Sequence, residues 1–251
     1  MFRPRIIPVL LLKNLGLVKS TKFKNYNYIG DPINAVRIFN DLNADELVFL
    51  DIEASKKNQL ISLDFVKNVG EEANMPFAVG GGIKTLNDIK NILKNGAEKV
   101  ILNSHAITNP DFIKKASLEF GTSTISVCID VKKTILGKKK VWSHCGTKKS
   151  IFNPLDFAKI MEENGAGELI IQSIEKDGTM TGYDLELIKS ISSTCTIPIT
   201  ALGGAGNNQH LLSAYNDAYA NGLAAGSLFV YQGSNKGVLI NYPEKNELTF
   251  N

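Results

Sequence analysis

"DELVFLDIEAS" (residues 45–55) returns as "GELIIQSIEKD" (167–177), and "MPFAVGGGIKT" (75–85) returns as "IPITALGGAGN" (197–207). The offset is 122 in both cases. Glu46 therefore matches Glu168, Pro76 matches Pro198, Gly81 matches Gly203 and Gly82 matches Gly204. Self-similarity at one fixed period, here half the chain, marks two copies of one larger structural unit.

Each copy holds short, almost wholly apolar runs, as strands covered on both faces must be. Strands are expected near 5–12, 46–51, 76–80, 99–103, 124–130, 168–173, 198–202 and 222–226. Helical patterns lie between them. "DPINAVRIFNDLNA" (31–44) opens with Asp31 as N-cap and Pro32 at the first helical position. Ala35, Ile38, Phe39 and Leu42 then fall on one helical face. "NPDFIKKASLEFG" (109–121) and "NPLDFAKIMEENG" (153–165) place Pro110 and Pro154 after a capping Asn. Eight strands alternating with helices over 251 residues indicate an α/β chain folded as one (β/α)8 barrel domain, residues 1–251, in two four-stranded halves. An open doubly wound sheet would carry a phosphate fingerprint after its first strand, and "LLKNLGLVKS" (11–20) has none.

The repeat also aligns the ends of strands one and five. "RIIPVLLLKN" (5–14) and "SVCIDVKK" (126–133) are apolar runs closed by Lys13 and Lys132, 119 apart, so this match needs a three-residue gap. It makes Leu11 and Asp130 symmetry partners: one position apolar, the other acidic.

In such a barrel the loops after the strands build the active site. Here they hold "GGG" (80–82), "NSHA" (103–106), "DGTMTG" (177–182), "GGAG" (203–206) and "AAGS" (224–227). Glycines at strand ends let backbone N–H groups approach an anion. A single glycine loop is equally well a turn. Two at matched positions, each followed by a small polar loop, indicate two phosphate sites: one at Gly82, Asn103 and Ser104, the other at Asp177, Gly178, Gly203, Gly204, Gly226 and Ser227. A ligand phosphorylated at both ends would span the mouth.

Composition narrows the class. With 43% apolar and 21% charged residues and a net charge of +3, the chain reads as an ordinary globular protein. The densest basic run, Lys138–Lys140 with Lys148 and Lys149, lacks interleaved aromatics, so no nucleic-acid partner is expected. "MFRPRIIPVLLLKN" is too short in apolar length for a membrane span and has no small-residue cleavage site, so neither membrane nor export is expected. Three cysteines without a CxxC pair fit a reducing, cytoplasmic setting. No cluster has metal-ligand spacing, and no metal or cofactor is expected. Cys145 beside His144 is no dyad by adjacency, and His105 and His210 read as a solvated and a structural histidine.

"RIIPVLLLK", "LVKSTKF", "GDPINAVRIFNDLNADELVFLDIEAS", "PFAVGGGIKTLNDI", "SVCID", "GAGELIIQSIEKDGTMTGYD" and "ITALGGAGN" resemble the cyclase subunit of imidazole glycerol phosphate synthase (HisF) over about residues 1–230. That family is a (β/α)8 barrel partnered by a glutaminase (HisH-like) on its N-terminal face. Ammonia released there crosses the barrel and reacts at the top with a bisphosphorylated ribulosyl nucleotide. The resemblance implies an ammonia gate at Arg5, Glu46, Lys99 and Glu168, where the residues alone would equally suit a stabilising ion-pair layer. It implies Glu98 as a candidate glutaminase contact and catalytic roles for Asp130, Lys19 in the first loop, and Asp51.

Three positions depart from the family. Leu11 stands where the family has a strand-one carboxylate. Gln172 stands where it tends to have a small hydroxyl residue. The tail "YQGSNKGVLINYPEKNELTFN" (231–251) replaces a final amphipathic helix. These departures resemble a side branch found with surface-polysaccharide genes, in which ammonia serves a separate amidotransferase that makes an acetamidino group on a nucleotide-linked sugar. Three expectations follow: an ammonia-delivering subunit with weakened cyclisation, a true histidine-pathway cyclase, and a non-catalytic scaffold that activates a glutaminase.

Overall fold

The computed structural model describes residues 3–233, 235–244 and 247–250. In chain order the elements are β1 (Arg5–Lys13), β2 (Gly16–Thr21), β3 (Lys24–Gly30), α1 (Pro32–Asp41), β4 (Leu47–Asp51), α2 (Ala54–Lys57), α3 (Leu63–Glu72), β5 (Phe77–Gly80), α4 (Leu86–Lys94), β6 (Lys99–Leu102), α5 (Ser104–Thr108) and α6 (Asp111–Phe120). The second half gives β7 (Ile125–Lys133), β8 (Lys139–Ser143), β9 (Lys148–Lys149), α7 (Pro154–Glu163), β10 (Glu168–Ser173), α8 (Leu185–Ser192), β11 (Ile199–Leu202), α9 (Asn208–Asn216), β12 (Gly222–Ala225), β13 (Tyr231–Gln232) and β14 (Gly237–Val238).

Strands β1, β4, β5, β6, β7, β10, β11 and β12 pair in parallel with their neighbours, and β12 pairs with β1 to close the barrel. All eight expected strands are present. The chain is a (β/α)8 barrel.

The register settles the gapped alignment. Leu11 lies opposite Leu50 across β1 and β4. Asp130 lies opposite Gln172 across β7 and β10. Leu50 and Gln172 are themselves related by the 122 offset, so the two rungs are symmetry mates. Both β1 and β7 continue into antiparallel extensions, β2 and β8. Lys13 stacks its ammonium over Tyr26 and Lys132 over Trp142, at 4.8 and 4.9 Å from the ring centroids.

Apolar side chains divide into two cores. A large shell fills the space between strands and helices. A small plug of Ile7, Val9, Val48, Ala78, Ile101, Cys128, Ile170, Leu202 and Ala224 fills the barrel itself, with Leu11 and Leu50 packed on its upper side. Alternation along each strand produces this division, since residues two apart share a face.

Helix starts follow the sequence with two corrections. Asp31 and Asn153 cap α1 and α7 by accepting the N–H of Asn34 and Asp156. Asn109 is instead the C-cap of α5, and Pro110 itself occupies the N-cap of α6. In α1 the buried stripe is Pro32, Ala35, Val36 and Phe39, while Ile38 and Leu42 are exposed. The spacing is the expected one, but counted from Pro32. The segment holding Lys19, expected as a loop, forms the β2–β3 hairpin.

After β12, no α-helix follows among the described residues. A short 3-10 turn (Ser227–Phe229) leads into β13 and β14. Ile240, Tyr242, Leu248 and Phe250 then pack on the outer core. Tyr242 reaches the starts of β1 and β4: its hydroxyl donates to the Ile6 carbonyl at 3.0 Å and accepts the Asp45 N–H at 3.0 Å.

Candidate functional site

At the strand N-termini, inward-pointing Arg5, Glu46, Lys99 and Glu168 form a ring of alternating charge. Arg5 holds Glu46 and, at 2.7 Å, Glu168. Lys99 contacts both acids at 3.2 Å. Glu46 and Glu168 are buried, whereas the two cations are partly open to solvent. Thr200 donates a further hydrogen bond to Glu168. Burial alone would raise the Glu168 pKa; Arg5 and Lys99 together outweigh it and hold the carboxyl below its usual range. All four residues expected at the gate meet in one layer. Above them lies an enclosed gap of about 10 Å³, lined by the barrel plug together with Glu46, Glu168, Ser126 and Thr200. That is room for about one water-sized molecule.

At the opposite end opens a cavity of about 440 Å³. It gathers Lys19, Asp51, Gly82, Asn103, Ser104, Asp130, Asp177, Gly178, Gly203, Gly204, Gly226 and Ser227, so one mouth collects the catalytic and phosphate candidates from both halves. The glycine loops are sterically required. Gly82 has φ +70°, and a Cβ there would lie 1.8 Å from the Gln59 carbonyl oxygen. Gly204 has φ +113°, and its Cβ would lie 2.2 Å from the Gly182 carbonyl oxygen.

The acids differ in how they are engaged. Asp130 is buried, and burial pushes its pKa up to about 7; the nearby Cys128 thiol opposes this only in part. It can exchange a proton near neutrality, as acid–base work requires. Asp51 Oδ1 accepts the N–H groups of Glu53 and Ala54 at 2.9 and 3.1 Å, fixing the turn after β4. Asp177 accepts Ser20 Oγ at 2.7 Å and the Phe23 N–H at 3.2 Å, which holds the β2–β3 hairpin over the mouth. Lys19, fully packed, donates to the Val9 carbonyl, and burial lowers its pKa to about 8 against the attraction of Asp177. Leu11 lines the cavity on the β1 side.

Lys84 was not singled out from sequence, and Lys148 and His144 were named there without a role in the mouth. Lys84 and Lys148 line the mouth, and after burial their charges depress the His144 imidazole below its usual range. The His144 N–H donates to Ser104 Oγ at 3.0 Å. For Lys84 the only signal was its position after a strand; His144 and Lys148 lie in "WSHCGTKKS" (142–150), a basic loop after strand five that resembles the family's substrate loop. The Cys145 thiol lies 2.9 Å from the Ile52 carbonyl oxygen, and burial pushes it up to about 12, which disfavours a thiolate. His105 packs edge-on against Phe112, and His210 Nδ1 accepts the Gly206 N–H, a structural role. No group of residues that could hold a metal occurs among the described residues. No described helix is long and apolar enough to cross a membrane.

The family model for histidine biosynthesis proteins matches residues 5–236. The chain belongs to that family. It is 48% identical over 248 residues, 98% of both chains, to a Leptospira interrogans protein provisionally named imidazole glycerol phosphate synthase subunit HisF. It is 42% identical over 248 residues, 99% of both, to a Pseudomonas aeruginosa protein provisionally named subunit hisF2 of the same synthase. It is 41% identical over 231 residues, 92% of both, to the imidazole glycerol phosphate synthase subunit HisF of Alkaliphilus metalliredigens. The first two matches cover so much of the chain that they include the tail. The family model stops at residue 236.

Proposed function

We propose that this chain is the barrel subunit of an imidazole glycerol phosphate synthase-type amidotransferase. A glutaminase docks on the N-terminal face, and ammonia enters at the Arg5–Glu46–Lys99–Glu168 ring. It then passes the apolar plug and meets a phosphate-bearing acceptor held in the mouth. The observation that carries this reading is the single axis through the barrel: charged ring, small enclosed gap, then a 440 Å³ cavity with two glycine cradles. The names of the relatives support ring closure as in histidine biosynthesis. In that role Asp130 moves the proton at the reacting centre, Lys19 supplies positive charge beside Val9, and the glycine loops hold the phosphates.

A second reading is favoured by Leu11. Leucine neither donates nor accepts a proton, so one half of the mouth has no acid–base group where its symmetry mate has Asp130. The Gln172 and tail departures point the same way. On this reading cyclisation is weak, and the ammonia serves a separate amidotransferase acting on a nucleotide-linked sugar.

The shared reading is tested by mixing the barrel with glutaminases from its own genome and following glutamine hydrolysis. Stimulation by the barrel that is lost in Lys99→Ala supports it; no stimulation of any of them contradicts it. Complementation of a cyclase-deficient strain then tests the histidine role: growth supports it, and no growth counts against it.

A further inference from the structure

The two symmetry-related rungs at the top of the barrel plug differ completely in polarity. In the first half the rung is Leu11–Leu50; in the second it is Asp130–Gln172. All four residues line the mouth. Leu50 of this layer, with Val9, Ile101, Cys128 and Leu202 beneath it, lines both the mouth and the small enclosed gap, so these five form the wall between the two spaces. Cys128 and Ile170 lie two residues before Asp130 and Gln172 on the same strands. They face the barrel interior one layer lower. Of the two rungs above the wall, the polar side chains are therefore Asp130 and Gln172, and both stand on one side.

Gln172 is 3% exposed. Its Nε2 makes a long hydrogen bond of 3.4 Å to Asp177. Its Oε1 is the buried side-chain polar atom without a partner among the described residues. A buried acceptor left unpaired is costly, and natural sites keep one where something else supplies the donor. Lys19, the buried cation of the mouth, is already committed to Val9. The gap below admits only a molecule of about one water's size.

We propose that Gln172 Oε1 and the Asp130 carboxylate form a receiving site for ammonia at the exit of the barrel interior. Ammonia has three N–H donors and one lone pair. Two N–H groups bond to Gln172 and Asp130, and the lone pair is left free toward the acceptor in the mouth. The apolar Leu11–Leu50 rung opposite offers ammonia no partner, so it is held on the second-half side. This proposal rests on the ammonia-delivery reading and adds the place where ammonia waits.

The test uses the intact chain with ammonium chloride as the probe, at pH about 9, where much of the ammonium is ammonia. The side-chain amide signals of Gln172, assigned by glutamine-selective labelling and by their absence in Gln172→Leu, are followed by NMR. The expected result is a saturable shift with ammonium chloride, none with potassium chloride, and an affinity weakened about tenfold in Asp130→Asn, where a neutral amide oxygen replaces a charged acceptor. If Gln172→Leu does not fold, Gln172→Glu provides the assignment. An equal, non-saturating response to both salts overturns the proposal. So does a response that appears only with ribose 5-phosphate, which would assign Oε1 to a ligand hydroxyl. Failure here with intact glutaminase stimulation refutes the receiving site alone; a saturable shift without stimulation refutes the delivery reading alone.

Discussion

Removing Glu168 should damage the barrel by a calculable amount. Its carboxylate takes Arg5 at 2.7 Å, Lys99 at 3.2 Å, Ser126 at 3.4 Å and the Thr200 hydroxyl. Breaking a buried ion pair by deleting one partner costs about 3–5 kcal/mol. Here the Arg5 and Lys99 side chains are 27% and 22% exposed, so water relieves part of that penalty. We expect Glu168→Ala to lose about 2–3 kcal/mol. For a chain of this size that lowers Tm by about 4–12 °C. Glu168→Gln keeps acceptors for Arg5 and Thr200 and should lose less.

The pH dependence has a definite sign. The folded Glu168 pKa lies below its unfolded value, because Arg5 and Lys99 outweigh burial. Its stabilisation is present above the unfolded carboxyl pKa of about 4.3 and disappears as pH falls through the lower folded value. Thermal melts of wild type and Glu168→Ala at pH 7 and down to pH 3 measure this. A loss under about 0.5 kcal/mol at pH 7, or a gap that widens in acid, refutes the ring as a buried electrostatic unit.

Asp130→Asn should stabilise the protein at pH 8, because the raised Asp130 pKa means the ionised carboxylate disfavours the fold there. The gain is on the order of 2–4 kcal/mol and narrows steadily as pH falls toward 4; denaturant melts across that range check it. Tyr242→Phe keeps its ring against Phe229 but loses both hydroxyl bonds to the barrel base. A loss of about 1–2 kcal/mol is expected, with faster amide exchange at Ile6 and Asp45 if the tail fastens the strand starts.

The barrel was legible because its strands are covered on both faces and its halves repeat. The 122 offset fixed the glycine loops, and the register of Leu11 with Leu50 and Asp130 with Gln172 settled the three-residue gap that sequence alone left weaker. The ring residues were placed by the family resemblance, and each stands at or just before the start of a strand. What sequence could not give was the direction of side chains in loops. Lys84, Lys148 and His144 reach the mouth through turns with no periodic pattern. The hairpin carrying Lys19 depends on Asp177, a partner 157 residues from Ser20. The buried stripe of α1 was displaced because its spacing fits two faces equally, and only packing chooses Val36 over Ile38.

We propose an ammonia-fed barrel whose ring-closing chemistry is limited at Leu11. The direct measurement is kcat/KM for the bisphosphorylated ribulosyl nucleotide with ammonium salts, in wild type and Leu11→Asp side by side. A positioned acid–base group is worth about 10² to 10⁴ in rate, so weak wild-type turnover rising at least about tenfold in Leu11→Asp is expected. Wild-type turnover equal to that of a histidine-pathway enzyme, unchanged or lowered by a folded Leu11→Asp variant, would contradict it.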